Sequence, residues 1–234
     1  MLKPAVFTHQ SLADQVLDAL KDEIISGRLK PNDRIDLNDY TTKWSISPTP
    51  LRDALKQLET TGLVVIHPRK GVFVADLDRV GLAETFGLRV AFEGMAIRLA
   101  TRNVPAEVAA NALRQYREAD QATGSTRLRK LQQVDDLVHE IGLTYCNNKR
   151  LRKMMESVSD LVLWSKQTII RNVPEPYDAT LPEHLAICEA VVAGNGEAAE
   201  RAMRTHLENS LARIEKYLDD HPQKDERGDQ PGSR

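Results

Sequence analysis

The chain has 234 residues, enough for one large domain or two of ordinary size. Hydrophobic residues make up 41 % and charged residues 28 %, a balance typical of a water-soluble, helix-rich protein. No apolar run approaches the roughly 18 residues of a membrane span, and the first ten residues lack the apolar core of a signal peptide. The two cysteines, Cys146 and Cys188, have no CxxC spacing and predict neither a disulfide framework nor a zinc knuckle. We therefore expect a cytoplasmic protein with no membrane partner.

The net charge of −2 decides nothing about a nucleic-acid partner. Residues 1–76 contain ten Lys and Arg and also ten Asp and Glu, so this part of the chain is neutral. DNA-binding domains are usually more basic. The case for or against DNA binding therefore depends on where individual residues are placed.

The first third of the chain has the order of elements of a winged helix-turn-helix. Three helical patterns, at about 12–26, 37–44 and 48–61, precede Gly62. Two β-branched runs then flank the tetrapeptide Pro-Arg-Lys-Gly at 68–71, which predicts a β-hairpin.

The third helix has an unusual start, because two prolines stand one residue apart in "SISPTPLRDALKQLETTGLV". Proline costs little in the first turn of a helix, where backbone N–H groups have no partner. With Ser47 as N-cap, the prolines define a rigid first turn that exposes Thr49 and Arg52. In a winged helix-turn-helix this turn enters the major groove, where Thr49 can contact a phosphate or a thymine methyl group and Arg52 a guanine.

The hairpin tip is basic, with Arg69 and Lys70 placed to reach the DNA backbone or minor groove and Gly71 supplying the turn. A single exposed arginine, or one charged hairpin tip, is more commonly a solvated surface feature. The combination of a proline-started helix and a basic hairpin favours DNA binding over that alternative.

After Asp76 the pattern is continuously helical and predicts an antiparallel all-α bundle of about six helices. They are expected at about 79–102, 105–122, 127–146, 149–171, 179–194 and 196–219. The remaining tail is polar and lacks aliphatic residues, so we expect disorder there. The predicted domains are 9–76, 79–219 and the tail 220–234.

Three histidines fall on the inward faces of predicted bundle helices. Asp135 and His139 are one turn apart on the third helix, and His184 and His206 lie on the fifth and sixth. A lone inward histidine is more commonly a hydrogen-bonded core residue. Three of them with a carboxylate suit a divalent ion, Zn, Ni, Mn or Fe, and such an ion offsets the cost of burying the Asp135 charge.

The quoted helix, followed by "RKGVFV", resembles the N-terminal domain of GntR-type transcription regulators. The resemblance covers roughly residues 9–76 and implies DNA contacts at Ser47, Thr49, Arg52 and Gly71. The chain departs from the family pattern at two places. Pro48 replaces an arginine that would contact DNA, and Asn32 replaces a glycine before the second helix.

The helical part is similar to the FCD ligand-binding domain of the FadR branch of that family. The resemblance implies metal binding at all four positions, Asp135, His139, His184 and His206. It also implies that Arg89, in "LRVAFEGMAIRLA", holds a carboxylate of the effector. An i, i+4 ion pair with Glu93 is the alternative role for Arg89.

The resemblance implies a homodimeric regulator, most commonly a repressor, that reads a palindromic operator and responds to a small organic acid. A metal-dependent hydrolase is the alternative from another class, because three histidines and a carboxylate also form enzyme sites. The sequence offers no clear general base for hydrolysis, so we predict that the protein is not an enzyme. A purely structural histidine cluster is the third possibility.

Overall fold

The computed structural model describes residues 10–76, 78–172 and 176–220. Within these ranges the chain forms three short strands and ten helices. The elements are α1 (Leu12–Ile25), β1 (Arg34–Ile35), α2 (Leu37–Trp44), α3 (Pro48–Thr60), β2 (Val64–His67), β3 (Gly71–Val74), α4 (Arg79–Ala100), α5 (Ala106–Gln121), α6 (Gly124–Val134), α7 (Leu137–Tyr145), α8 (Lys149–Asn172), α9 (Pro176–Val192) and α10 (Gly196–Asp220).

The elements group into two compact units, and each is discontinuous in sequence. Of the described residues, the first combines those up to Thr85 with Lys149–Gln167, and the second combines Phe86–Asn148 with those from Thr168 to Asp220. The predicted domain boundaries, 9–76 and 79–219, stay predictions. His9 and residues 221–234 of the predicted tail lie outside the described residues, and Asp220 ends α10.

The first unit is the predicted winged helix-turn-helix, with α1–α3 packed against a small antiparallel sheet. Local signals fix its helix ends: Ser11 and Asp14 form a capping box at α1, and the Asp36 side chain caps α2. The apolar faces of the helices meet in one core. Its fully buried members include Leu20, Ile24, Leu51 and Leu58.

The sheet has the order β1–β3–β2, so the predicted hairpin gains a third strand that the sequence analysis missed. β1 has only two residues, Arg34 and Ile35, too few to show an alternating pattern. Just before it, Asn32 adopts a left-handed conformation with φ of 68°. Asparagine tolerates this region better than most residues, which explains how it can replace the glycine of the family pattern.

Part of α8 completes the core of this first unit. Trp164 is a buried member of the core, and Leu161 packs against it. Asp160 forms an ion pair with Lys21 of α1 at 2.6 Å. Leu161 also covers the turn after α3, where its methyl carbons lie 3.6 Å from the position of a Cβ on Gly62. The winged helix-turn-helix therefore gains part of its core from a segment about a hundred residues later in the chain.

The second unit consists of helices, as predicted, but one predicted helix is two. The structure breaks the expected helix 127–146 into α6 and α7, with Asp135 and Asp136 in the turn between them. The prediction of one continuous helix over 127–146 is therefore wrong, and the placement of Asp135 and His139 one above the other stays a prediction. None of the helices in the described part of the chain is long and apolar enough to span a membrane.

Glycines let neighbouring helices approach α4 closely. A Cβ on Gly142 of α7 would lie 3.4 Å from the backbone nitrogen of Ile97, at the close end of ordinary van der Waals contact. A Cβ on Gly196, at the start of α10, would lie 2.8 Å from the carbonyl oxygen of Arg98. These contacts bring α7 and α10 against the same helix, which carries Arg89 and Glu93.

Candidate metal centre and nucleic-acid interface

Three histidines from three helices meet inside the second unit. His139 of α7 is half-buried, whereas His184 of α9 and His206 of α10 are buried. One ligand nitrogen of each lies within 4.8 Å of those of the other two. The ring centroids are 4.5 Å apart for His184 and His206 and 5.2 Å apart for His139 and His206. His184 is 45 positions from His139 and 22 from His206 in sequence, yet the fold brings the three rings together.

A buried carboxylate of α4 holds the first of these rings. Glu93 Oε2 makes a short hydrogen bond with Nδ1 of His139, and its Oε1 accepts a hydrogen bond from Arg89 Nε at 2.7 Å. Burial opposes the charge of Glu93, but Arg89 and His139 outweigh it and leave the pKa far below its ordinary value. The sequence analysis considered Glu93 only as a partner of Arg89 and missed its contact with His139.

A second carboxylate holds another ring in the same way, and the sequence analysis missed it altogether. Glu183 Oε2 lies 2.8 Å from Nδ1 of His206, and Arg213 donates to both Glu183 oxygens at 2.9 Å. Asn209 adds a fourth hydrogen bond at 2.8 Å. Burial opposes the charge, but these donors lower the pKa of Glu183 to about 2. Its position next to His184 in sequence was the only available signal, since its partner is on another helix.

These contacts decide which nitrogen of each ring carries the proton. An ionised carboxylate only accepts hydrogen bonds, so Nδ1 of His139 and of His206 must donate. Burial lowers the pKa of His206 to about 4, which keeps the ring neutral near pH 7. The neutral His206 ring therefore carries its lone pair on Nε2. A carboxylate that holds a ligating imidazole through its other nitrogen in this way is a usual outer-shell partner in metal sites.

The donor set fits a divalent transition metal. Nε2 of His184 and Nε2 of His206 lie 3.3 Å apart. Two nitrogens at the usual zinc bond length on a tetrahedral ion would be about 3.3 Å apart. Neutral imidazoles suit Zn, Ni and Fe. The same three residues can equally form a hydrogen-bonded cluster, which keeps the structural alternative open at this point.

Asp135 stands at the end of α6 with a half-buried side chain. The group of ligand atoms that lie within 4.8 Å of one another consists of the three histidines. The predicted role of Asp135 as a fourth ligand stays a prediction.

Arg89 forms the ion pair with Glu93 that the sequence analysis gave as the alternative to an effector contact. This ion pair uses only one of the three guanidinium nitrogens. Its side chain is 8 % exposed, and its Nε is bound to Glu93. Its two terminal amino groups make no hydrogen bond to any residue that the structure describes. The guanidinium carbon lies 5.0 Å from the centre of the Phe86 ring. An arginine held at one nitrogen keeps a free fork for an anion.

The exposed start of α3 carries the residues predicted to contact DNA. Ser47 occupies the N-cap position, as predicted, but its side chain makes no capping hydrogen bond. Because Pro48 and Pro50 lack N–H groups, only Ser47 and Thr49 offer backbone donors there. Thr49 and Arg52 are exposed, and Arg52 has no ion-pair partner among the described residues.

The wing tip presents the second part of this surface. Arg69 and Lys70 are exposed, and neither forms an ion pair within the described ranges. The hairpin pairs His67 with Gly71, and Gly71 has a φ of 123°, a value that side chains rarely allow. A Cβ there would also lie 3.2 Å from Nε of Arg34. Gly71 therefore shapes the turn that projects the two cations.

Both halves of the chain match known families. The model of the gntR family of bacterial regulatory proteins matches residues 12–74, and that of the FCD domain matches residues 84–209. Among curated proteins, the uncharacterized HTH-type transcriptional regulator YdhC of Bacillus subtilis is 25 % identical over 88 % of this chain and 92 % of its own. The HTH-type transcriptional repressor GlaR of Escherichia coli is 26 % identical over 85 % of this chain and 94 % of its own.

Solved structures agree on the fold. A putative GntR transcriptional regulator from Rhodococcus aligns with a TM-score of 0.67 and 23 % identity, covering 88 % of this chain and 99 % of its own. McbR/YncC of E. coli also aligns with a TM-score of 0.67, at 21 % identity, covering 89 % of this chain and 100 % of its own.

We expect Glu183→Gln to weaken zinc binding by about 10–100-fold, because the neutral amide no longer fixes the proton on Nδ1 of His206. A competition titration of the purified protein with a zinc-sensitive dye measures the affinity. Glu208→Gln is the matched control, since Glu208 lies on α10 with His206 but, among the described residues, pairs only with Arg204 at the surface. Equal zinc affinity in the Glu183 variant and the wild type would contradict this role.

Proposed function

This chain is a member of the gntR family of bacterial regulatory proteins with an FCD domain, and we propose that it is a repressor controlled by a small organic acid bound beside a divalent metal. It is a DNA-binding transcriptional regulator and not an enzyme, since its relatives and structural neighbours are regulators. The proposal depends most on one observation: His139, His184 and His206 come together in the FCD domain, and each of them is buried or held by a carboxylate. A regulator of this kind works in the cytoplasm.

His139, His184 and His206 would hold the metal, with Asp135 as a proposed fourth ligand. A bound divalent cation supplies a Lewis-acidic centre that attracts a carboxylate. Glu93 and Glu183 keep the imidazoles in the ligating tautomer.

Arg89 is the proposed second contact for the effector. Its free terminal amino groups can fork onto a carboxylate, while Glu93 keeps the guanidinium in place at 2.7 Å. A ligand with two acidic groups, or an acid with a neighbouring hydroxyl, would satisfy both the metal and Arg89. This favours dicarboxylates and sugar acids over monocarboxylates.

The proposed homodimer would form through α4. Leu88 and Met95 are 41 % and 46 % exposed, and the exposed Ala91 lies between them. Their spacing of three and four residues makes one apolar stripe, the spacing with which helices pair. A second copy of the chain is the proposed partner, since two copies also supply the two recognition helices that a palindrome requires.

Met95→Asp is therefore expected to shift the protein from dimer to monomer, because it places a charge on the apolar stripe. Sedimentation velocity distinguishes the two masses. Leu128→Asp is the control, since Leu128 is 51 % exposed on α6 and does not lie on the stripe. A dimer that survives Met95→Asp unchanged would rule out this face.

At the proposed DNA surface, Arg52→Ala should weaken binding to an operator selected in vitro by about 1–3 kcal/mol and relax the preference at one base pair per half-site. Lys70→Ala should leave base preference unchanged and lower the salt slope of binding by about one unit. Binding measured over a series of salt concentrations and operator variants separates the two effects. Retained selectivity in Arg52→Ala would contradict the docking of α3.

The effector response tests the metal directly. Citrate, malate and gluconate are added to the zinc-loaded protein on its selected operator, and release of DNA is followed by fluorescence anisotropy. We expect at least one acid to change operator binding in the wild type. The response should be lost in Asp135→Asn and His184→Ala, and after chelation, while operator binding itself persists. A response that survives chelation and His184→Ala would remove the metal from the mechanism and favour a structural histidine cluster.

A further inference from the structure

The turn between α6 and α7 contains a hydroxyl group from a third helix. In an unbroken helix the N–H of Val138 would donate to the carbonyl of Val134, four residues earlier. Here the hydroxyl of Tyr116 lies between the two groups. It donates to the Val134 carbonyl at 2.6 Å and accepts from the Val138 N–H at 3.3 Å. One helical hydrogen bond is thus replaced by two that pass through a side chain.

The replacement explains why the helix breaks at this place. A side chain inserted into the hydrogen-bond ladder is one of the few recognised causes of a sharp helix bend. Residues 135 and 136 form the interrupted turn and belong to neither α-helix. The sequence from 127 to 146 has a continuous helical pattern, so the cause lies outside it, on α5.

Tyr116 is well held in this position. Its side chain is fully buried, and burial raises the pKa of its phenol far above the ordinary value, so the hydroxyl stays protonated. The ring of Tyr116 contacts the histidine group: its centroid lies 5.5 Å from that of His184, and the two ring planes are inclined at 56°. One side chain therefore touches both the turn before His139 and the ring of His184.

We propose that Tyr116 is a positioning residue of the metal centre: its inserted hydroxyl sets the turn that carries Asp135 and leads into His139, and its ring supports His184. This inference rests on the proposed metal function. If the hydroxyl is removed, Val138 can bond directly to Val134, and the segment from α6 to α7 can become one straight helix. The direction of His139 relative to His184 and His206 would then change.

Tyr116→Phe tests the inference, because it keeps the ring and removes only the oxygen. We expect zinc affinity, measured by dye competition, to fall about tenfold or more, as for other outer-shell groups of metal sites. With Co²⁺ as the probe, the visible absorption bands should shift in position or intensity, since the arrangement of the ligands changes. Destabilisation of the fold alone would leave these bands unchanged.

Tyr40→Phe is the matched control. Tyr40 of α2 also donates its hydroxyl to an internal partner, Glu23, but it belongs to the first unit, whereas His139, His184 and His206 belong to the second. It should lose thermal stability and retain the zinc affinity and Co²⁺ spectrum of the wild type. If Tyr116→Phe does not fold, 3-fluorotyrosine placed at position 116 keeps the hydroxyl, and its ¹⁹F resonance should shift when zinc is added.

The outcomes separate the two proposals. A wild-type protein that binds zinc, with a Tyr116→Phe variant of equal affinity and identical Co²⁺ spectrum, would overturn the role of Tyr116 and leave the metal centre intact. A ¹⁹F resonance unaffected by zinc would do the same. A wild-type protein that binds neither zinc nor cobalt would overturn the proposed metal function and this inference with it.

Discussion

The second unit contains two carboxylates, one buried and one half-buried, whose charge is balanced by arginine. Glu93 and Glu183 each hold one imidazole, and each is paired with a guanidinium, from Arg89 and Arg213. An unpaired buried carboxylate costs several kcal/mol, on the order of the stability margin of a whole domain. The arginines offset the cost of burying the carboxylate charges. The carboxylates in turn keep the proton on the histidine nitrogen that they contact. In the proposed metal centre, the folded chain itself would thus set which ring nitrogen binds the ion.

Close helix packing places these groups. Gly142 stands one turn after His139 and lets α7 approach α4 at Ile97, one turn after Glu93. His139 and Glu93 form their hydrogen bond beside this contact, each one turn earlier on its own helix. A Cβ at position 142 would already touch the backbone of α4, so a larger side chain would have little room there.

The sequence predicted the residues whose roles follow from local rules and missed those that depend on a second helix. Helical spacing placed His139, His184 and His206 on inward faces, and proline and glycine rules located α3 and the wing. The sequence analysis did not identify Glu183, because its partners His206 and Arg213 lie on another helix, α10. The sequence analysis did not predict the helix break at Asp135 for the same reason, since its cause is the hydroxyl of Tyr116 on α5. Periodicity describes one helix at a time and carries no information about what a neighbour inserts.

The DNA-binding half combines a neutral overall charge with exposed basic side chains at Arg52, Arg69 and Lys70. With ten cations and ten acids in residues 1–76, its long-range attraction to DNA is weak. If α3 and the wing contact DNA as proposed, their short-range contacts must supply most of the affinity, and such contacts require exact placement of α3. Trp164 of α8 belongs to the core that supports α3, so this placement depends in part on a segment about a hundred residues later in the chain.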